Sequence, residues 1–380
     1  MNYFDHNATT PLSPVAREAW LRAQDEAWVN PSGPYRDAAR VRLRLEGARI
    51  ALGALMGAAP DRVVFVSGAT EAANVVAVHL ARTLPADAWV AINPTEHPCV
   101  IAAFAAAFGG RRVELPVSES GLIDPDSVQA VLERPESEGK VRVVVVMAAN
   151  NETGVVQPWT ALARVCRSRG IELVCDASQW LGKLPAAGLG VADWLLASGH
   201  KFGAPKGVGF LLRGPQADGF HGQLGGEQQR GHRGGTEDYP GVAAMLAALA
   251  EAEQSKVLWE SARVADRDEF ERSLQRALPG AVVVGRGVER LWNTVAVTLP
   301  RHENQRWVAR MDKRGFAIST GSACASGKEG PSHVLAAMGI EPERMRRVVR
   351  LSSGWDTSAS DWNDLLQAMV EVGAELDRGA

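Results

Sequence analysis

The chain has 380 residues, of which 46% are apolar and 22% charged, and its formal net charge is −3. This balance is typical of a soluble globular protein and gives no reason to expect nucleic acid or a membrane as a principal partner. Four cysteines (Cys99, Cys166, Cys175 and Cys324) lie far apart without a C-x-x-C pair, which disfavours a zinc site or a disulfide framework. We expect reduced thiols in a cytoplasmic protein, with no export, transit or membrane segment.

Short apolar runs alternate with helical patterns from about residue 60 to residue 213. Examples are "RVVFV" followed by "TEAANVVAVHLART", and "AWVAI" followed by "VIAAFAAAF". Continuous apolar strands separated by helices predict an α/β fold with a mostly parallel sheet covered on both faces. In such a sheet, functional side chains are expected in the loops at the carboxyl ends of the strands.

A long helical pattern follows Pro240 and runs until Pro279 and Gly280. Its length suits a helix that connects two bodies of the protein. Further short strands and a final helical pattern, "SDWNDLLQAMVEVGAEL", come after it. We therefore predict a smaller α/β domain after the large one.

The first strand-end loop is "SGATEAAN", a turn of small residues that leads into a helix. Free backbone N–H groups and the positive end of the helix dipole suit a phosphate there. The alternative is an ordinary helix N-cap made by Ser67 or Thr70.

Two further loops carry polar residues. His97 follows the next strand, in "NPTEHPCV", where it is either a solvated residue or a ring that faces a ligand. Residues 150–153 of "ANNETGVVQP" crowd the end of a very apolar strand. They predict either a turn closed by an asparagine side chain or one wall of a binding site.

Asp176 ends the apolar strand "IELVC", and Gln179 follows three residues later. A carboxylate at that depth needs a cationic partner, for which a protonated heterocyclic nitrogen would serve. The alternative is a helix N-cap.

Lys201 comes directly after a buried strand, in "ADWLLASGHKFGAPKG". A lysine held beside an apolar strand end has a lowered pKa and can form a Schiff base with a carbonyl compound. We expect Lys206 to be a turn residue and Lys183, in "LGKLP", to lie on the surface.

Cys324 lies in "STGSACASG", between a predicted strand, "GFAI", and a predicted helix opened by Pro331. Small neighbours give the backbone freedom and leave room around the thiol. The residues alone permit either a nucleophile or an inert thiol.

Ten motifs together make this chain resemble one family, the group I cysteine desulfurases, which are pyridoxal-phosphate enzymes of the class V aminotransferase group. They are, in chain order, "YFDHNATTPLSP", "NPSGP", "SGATEAAN", "TEHPCV", "NNETGVVQP", "CDASQWLGKLP", "SGHKFGAPKGVG", "RGHRGGTED", "STGSACAS" and "VVRLSSG". The resemblance implies fold type I, with a seven-stranded sheet in a large domain over 15–255. Residues 1–14 and 256–380 would form the small domain that carries the cysteine loop.

The resemblance also implies roles for individual residues. Lys201 would hold pyridoxal 5'-phosphate as a Schiff base and move the substrate proton, Asp176 would pair with the ring nitrogen, and Gln179 would bond the ring hydroxyl. His97 would stack on the ring and serve in acid–base steps. The phosphate would be bound by Ala69, Thr70, Ser198, His200 and, from a second subunit, Thr236. Asn151 would contact the ring hydroxyl or the substrate, and Arg350 would bind the substrate carboxylate.

Cys324 would then attack the sulfur of the L-cysteine substrate, releasing L-alanine and leaving a persulfide for a protein acceptor in iron–sulfur cluster, tRNA-thiolation or other thio-cofactor synthesis. The expected assembly is a homodimer. Two alternatives are another class V enzyme, such as a selenocysteine lyase or an aminotransferase, and an inactive scaffold with the same fold. The sequence departs from the family pattern at His6, Gly33, Tyr35 and Trp355.

Overall fold

In the computed structural model of the chain, residues 1–134, 139–217, 219–321 and 331–379 are described, without the side chains of 256–260. Cys324 therefore lies outside the described residues. None of the helices within these ranges is long and apolar enough to cross a membrane.

The strands are, in chain order, β1 (Asn2–Tyr3), β2 (Val63–Val66), β3 (Trp89–Ile92), β4 (Arg112–Glu114), β5 (Val141–Val145), β6 (Glu172–Asp176), β7 (Trp194–Ser198), β8 (Gly209–Leu212), β9 (Val282–Val283), β10 (Thr294–Thr298), β11 (Phe316–Ala317) and β12 (Val348–Ser352). The α-helices are α1 (Pro14–Glu26), α2 (Arg36–Met56), α3 (Ala69–Thr83), α4 (Pro98–Phe108), α5 (Pro125–Leu132), α6 (Trp159–Ser168), α7 (Tyr239–Ala277), α8 (Asn304–Lys313), α9 (His333–Ala337), α10 (Pro342–Met345) and α11 (Ala359–Arg378).

Seven strands form the large sheet in the order β2-β8-β7-β6-β5-β3-β4. All neighbouring pairs are parallel except those that β8 makes with β2 and β7. Side chains alternate between two apolar clusters, with Val63 and Phe65 in one and Val64 and Val66 in the other. Both faces of the sheet are therefore buried, which confirms the predicted α/β fold with a mostly parallel sheet.

Three antiparallel strands form a second sheet in the order β12-β10-β9, and β1 pairs in parallel with β11. A third apolar cluster joins Phe4, near the amino terminus, to Trp307 and Trp362. The division into a domain of 15–255 and a domain of 1–14 with 256–380 stays a proposal, which the β1–β11 pairing supports.

The helix predicted between Pro240 and Pro279 is confirmed as the single helix α7. The predicted start of the helix after the cysteine loop is wrong. α9 begins at His333 and is capped by Ser332, whose Oγ accepts a hydrogen bond from Leu335 N at 3.1 Å. Pro331 therefore precedes the N-cap and does not open the helix.

Candidate active site

A cleft of about 670 Å³ lies where the loops after β2, β3, β5, β6 and β7 meet. These loops leave the carboxyl ends of the strands, which is where the sequence predicts the functional residues. The cleft is lined by Ala69, Thr70, His97, Cys99, Met147, Ala149, Asn151, Asp176, Ser178, Gln179, Ser198, His200 and Lys201.

The amino terminus of α3 opens onto the cleft, and its own N-cap residue supplies no side-chain cap. Its N-cap is Gly68, so the alternative of a cap made by Ser67 or Thr70 is wrong. Gly68 has a φ of +152°, a conformation that favours glycine, and a Cβ there would lie 3.1 Å from Ser198 Oγ. Ala69 N donates to Ser198 Oγ at 2.9 Å. The turn therefore presents backbone N–H groups and a hydroxyl to an anion.

His97 is the N-cap of α4 and lines the cleft. Its Nδ1 accepts a hydrogen bond from Cys99 N at 3.2 Å and lies 3.0 Å from Cys99 Sγ. Burial lowers the pKa of His97, and Lys201 and His333 act in the same direction against the opposing charge of Asp176. The ring is therefore neutral at neutral pH.

Cys99 is a lining residue for which the sequence reasoning predicted no role. Burial, and then the charge of Asp176, raise the pKa of its thiol to about 11. Cys99 is therefore present as the thiol and not as the more nucleophilic thiolate.

The turn predicted for the "ANNETGVVQP" loop is confirmed, and its role as one wall of a binding site stays a prediction. Asn150 Oδ1 accepts hydrogen bonds from Glu152 N at 2.8 Å and from Thr153 N at 2.9 Å, which closes an asparagine turn. The turn places Asn151 in the wall of the cleft and buries Glu152.

Asp176 ends β6 at the floor of the cleft and is 6% exposed. Its Oδ1 accepts a hydrogen bond from Ser178 N at 2.8 Å. Residues 178–183 form turns, so the carboxylate closes a turn and is not a helix N-cap. Ser178 Oγ is buried without a hydrogen-bond partner among the described residues.

Asn7 connects Lys201 with Gln179. Its carbonyl oxygen accepts from Lys201 Nζ at 2.8 Å and from Gln179 Nε2 at 2.9 Å, while Lys201 Nζ also donates to Ala8 O at 2.8 Å. Asn7 is 1% exposed, and its side chain donates to Thr294 Oγ1 at 2.8 Å. No local sequence pattern predicts this role of Asn7, because its partners lie far along the chain.

The environment of Lys201 changes its titration in the direction expected from the sequence. Burial and the charge of Arg350 lower its pKa to about 8, against the opposing effects of Asp176 and Asp5. A substantial fraction of the Lys201 amine is therefore neutral at physiological pH and can attack a carbonyl carbon.

The prediction that Lys183 lies on the surface is wrong. Lys183 is 5% exposed and donates to Gln179 Oε1 at 3.0 Å. Its backbone carbonyl accepts from Trp292 Nε1 at 2.9 Å. Burial, with the charges of Lys201 and Arg350, lowers the pKa of Lys183 to about 7. Lys206 is exposed in a turn, as expected.

His200 lies beside Lys201 and lines the same cleft. Its Nδ1 is 3.0 Å from Thr9 Oγ1. Burial and the charges of Lys201, Lys206 and Lys183 lower its pKa to about 4. His200 is therefore a neutral hydrogen-bonding group at physiological pH.

Arg350 lies on β12, outside the lining of the cleft, and is 4% exposed. Its Nη2 is 2.6 Å from Asp5 Oδ1, and its Nη1 donates to Asn151 O at 3.0 Å and to Gly321 O at 3.2 Å. The Arg350 Nε is buried without a partner among the described residues. The bond to Asn151 O ties Arg350 to a residue of the cleft wall.

Thr236 is exposed in the segment before α7, away from the cleft of its own chain. The sequence prediction assigned Thr236 to the cleft of a second subunit, and that assignment stays a prediction.

Two glutamates connect the start of α9 to the strand-end loops: Glu152, which belongs to the polar loop singled out from the sequence, and Glu96, for which the sequence predicts no role. Ser332 Oγ donates to Glu152 Oε2 at 2.6 Å, and His333 Nε2 is 2.8 Å from Glu96 O. Glu96 is fully buried, and burial with the charge of Asp176 raises its pKa well above the usual value. No local sequence signal distinguishes Glu96 from a surface residue.

The chain is similar to known proteins over nearly its whole length. The family model for class V aminotransferases matches residues 2–365. Proteins named cysteine desulfurase from Rhodobacter capsulatus and Gluconacetobacter diazotrophicus are 36% and 34% identical, over 98% of this chain and over 97% and 94% of their own lengths.

Two solved structures resemble this fold closely. A NifS-like protein superposes with a TM-score of 0.89 at 24% identity, covering 98% of this chain and 99% of that chain. SspA in complex with cysteine superposes with a TM-score of 0.78 at 29% identity, covering 93% of this chain and 98% of that chain.

Proposed function

The chain belongs to the class V aminotransferase family and, within it, to the cysteine desulfurases, and on that premise we propose how its own residues perform sulfur transfer. L-cysteine and the Cys324 thiol give L-alanine and a Cys324 persulfide. The substrate Cβ–Sγ bond breaks, and an S–S bond forms to Cys324. One sulfur atom moves in each turnover, so the atoms balance.

The donor set of the cleft fits pyridoxal phosphate, the cofactor that the family implies. The amino terminus of α3, where Ser198 Oγ accepts from Ala69 N, suits the phosphate. The Lys201 amine suits the aldehyde, and the Asp176 carboxylate suits a protonated pyridine nitrogen. The observation that carries the proposal is that these three chemically different groups line one cleft.

Further residues of the cleft would complete the cofactor site. The Gln179 amide and Asn151 would bond the ring hydroxyl, and the neutral His97 would present its ring to the cofactor. The phosphate would also take hydrogen bonds from Ala69, Thr70 and His200, with Thr236 of a second subunit.

Pyridoxal phosphate, when bound, supplies a ring that stores the electron pair left when the substrate Cα proton is removed. Lys201 would accept that proton, because its lowered pKa leaves a substantial fraction of the amine neutral. Arg350 would bind the substrate carboxylate through its planar guanidinium. The Cys324 thiolate would take the sulfur, since a soft nucleophile suits a sulfur atom.

The proposal extends to the assembly and the partner. We propose a homodimer, in which Thr236, exposed and outside the cleft of its own chain, would reach the cleft of the second subunit. We also propose that the protein works in the cytoplasm, where its cysteines would stay reduced. A protein thiol would accept the persulfide sulfur. Chemical crosslinking at low protein concentration tests the homodimer. Mass analysis of a partner protein that has received labelled sulfur tests the sulfur acceptor.

Colour and covalent labelling test the cofactor site. The purified protein should be yellow, and borohydride should fix pyridoxal phosphate on Lys201, as peptide mapping would detect. The Lys206→Met variant serves as the control, because Lys206 is also a lysine of the same loop but is exposed. A colourless protein that takes no label on Lys201 would overturn the pyridoxal phosphate assignment.

Substrate tests distinguish the alternatives. Cys324→Ala should lose sulfide release from L-cysteine in the presence of a thiol reductant, while an aminotransferase would keep its rate. A selenocysteine lyase would instead act on selenocysteine and leave cysteine almost unchanged.

A further inference from the structure

We infer that Lys183 is a positioning residue, whose amine holds the Gln179 side chain with its NH₂ group toward Asn7 and the cleft. This inference rests on the proposed pyridoxal phosphate site, toward which Gln179 would donate. It concerns a second buried lysine that the proposed reaction itself does not use.

The hydrogen-bond partners fix the orientation of the Gln179 amide from both ends. The Lys183 amine is a donor toward Gln179, so the atom 3.0 Å from it is the amide oxygen. The Asn7 carbonyl only accepts, so the atom 2.9 Å from it is the amide nitrogen. The two contacts agree, and the reversed amide would lose both hydrogen bonds.

The orientation matters because an amide nitrogen carries two N–H groups. One is used by the Asn7 carbonyl, and the second remains for an acceptor in the cleft that Gln179 lines. The same Asn7 carbonyl also accepts from Lys201 Nζ at 2.8 Å. A change in the Gln179 side chain therefore alters the hydrogen bonding of the Lys201 amine, which is proposed to hold the cofactor.

The burial of Lys183 supports a specific role. A lysine amine that is 5% exposed costs free energy unless it has a partner, and an apolar side chain would fill the same space more cheaply. Lys201 and Arg350 are the charged groups that act on its titration, and His6 in turn responds to Lys183. Lys183 also borders a second cavity of about 590 Å³.

The test is the pH midpoint of the visible absorbance change of the bound cofactor in the holoenzyme. In Lys183→Met, the midpoint should move up by about half to one pH unit, because the ring oxygen loses a positioned donor and the cleft loses a nearby amine that can be charged. Lys183→Arg keeps a donor and a charge and should restore the wild-type midpoint. Lys206→Met, which removes an exposed lysine from the same region, should leave it unchanged.

A double-variant cycle tests whether Lys183 acts through Gln179. Gln179→Ala should raise the midpoint, and adding Lys183→Met should raise it further by less than Lys183→Met does alone, because only the loss of the nearby charge remains. Additive shifts, or a Lys183→Met midpoint equal to that of the wild type, would overturn the inference.

Two outcomes remain separable. If Lys183→Met does not fold, Lys183→Gln replaces it, because the glutamine side chain ends one atom short of the amine position. The pH midpoint of Lys183→Gln should also be higher than that of the wild type, and an unchanged midpoint would overturn the inference. Failure of the wild-type protein to bind pyridoxal phosphate at all would instead overturn the proposed function, and with it the premise of this inference.

Discussion

The guanidinium of Arg350 lies 2.6 Å from the carboxylate of Asp5, although 344 residues separate them along the chain. The contact is possible because the Asp5 backbone forms a bridge with Ser352, at the end of β12. The second terminal nitrogen of the guanidinium, Nη1, donates to the carbonyl oxygens of Asn151 and Gly321. The group proposed to bind the substrate carboxylate is therefore already paired with a carboxylate of the chain itself.

This pairing predicts that Asp5→Asn lowers the KM for L-cysteine. The substrate carboxylate must compete with Asp5 for Arg350, and a partly exposed ion pair contributes about 0.2–1 kcal/mol, so a decrease of about 1.5- to 5-fold is expected. Steady-state kinetics at fixed pH measure it, with Asp377→Asn, an exposed aspartate paired with His302, as the control. A raised KM in Asp5→Asn would show that Asp5 positions Arg350 for the substrate.

The lowered pKa of Lys201 predicts the pH dependence of cofactor capture by the apoprotein. Only the neutral amine attacks an aldehyde, so the capture rate should rise about tenfold per pH unit below the pKa and level off above about pH 8. The capture rate of an ordinary lysine, with a pKa of 10.5, would continue to rise until about pH 10.5. Stopped-flow absorbance measures the rate.

Two variants give opposite signs in the same measurement. The charge of Arg350 lowers the pKa of Lys201, so Arg350→Gln should move the levelling point to higher pH. Asp5 raises that pKa, so Asp5→Asn should move it to lower pH. Shifts in the same direction for both variants would contradict the electrostatic account.

The cleft could largely be predicted from the sequence because its residues follow strands that are recognisable locally. Asp176 ends β6, and Lys201 comes three residues after β7, so the topology of a parallel sheet brings them to one edge. Arg350 and Thr236 required the family resemblance, since neither follows a strand of the large sheet.

The residues that the sequence reasoning missed depend on contacts between distant segments. Asn7 becomes a common acceptor for Lys201 and Gln179 only because the amino-terminal segment packs against the β10–β12 region. Lys183 lies in a Gly-Lys-Leu-Pro sequence typical of a surface turn, yet it is buried, and Trp292, from a distant segment, donates to its backbone carbonyl. Local sequence patterns do not show which distant residues will contact such a side chain.

The packing of His6 predicts that Gly354→Ala destabilises the protein. A Cβ at Gly354 would overlap the His6 ring, which is buried and held by a 2.6 Å hydrogen bond to Thr10 Oγ1. We expect a loss of about 1–3 kcal/mol, measured as a lower Tm of the holoenzyme.

The matched variants identify the cause. His6→Ala in the Gly354→Ala background should recover part of the Tm, because it removes the overlapping ring. Gly47→Ala in α2, where a Cβ meets nothing within 4 Å, should be neutral or stabilise by up to about 1 kcal/mol. An unchanged Tm in Gly354→Ala would show that the segment after β12 relaxes without cost.

The thiol of Cys99 lines the cleft, so proximity alone would make it a competing sulfur acceptor. Its pKa of about 11 leaves roughly one part in ten thousand ionised at neutral pH. Cys166 and Cys175 are buried, and burial raises both of their pKa values. We therefore expect the persulfide formed from ³⁵S-labelled L-cysteine to map to Cys324 alone. Cys99→Ala should keep sulfur transfer within about twofold, whereas label on Cys99 would show that distance to the cofactor outweighs thiol ionisation in selecting the nucleophile.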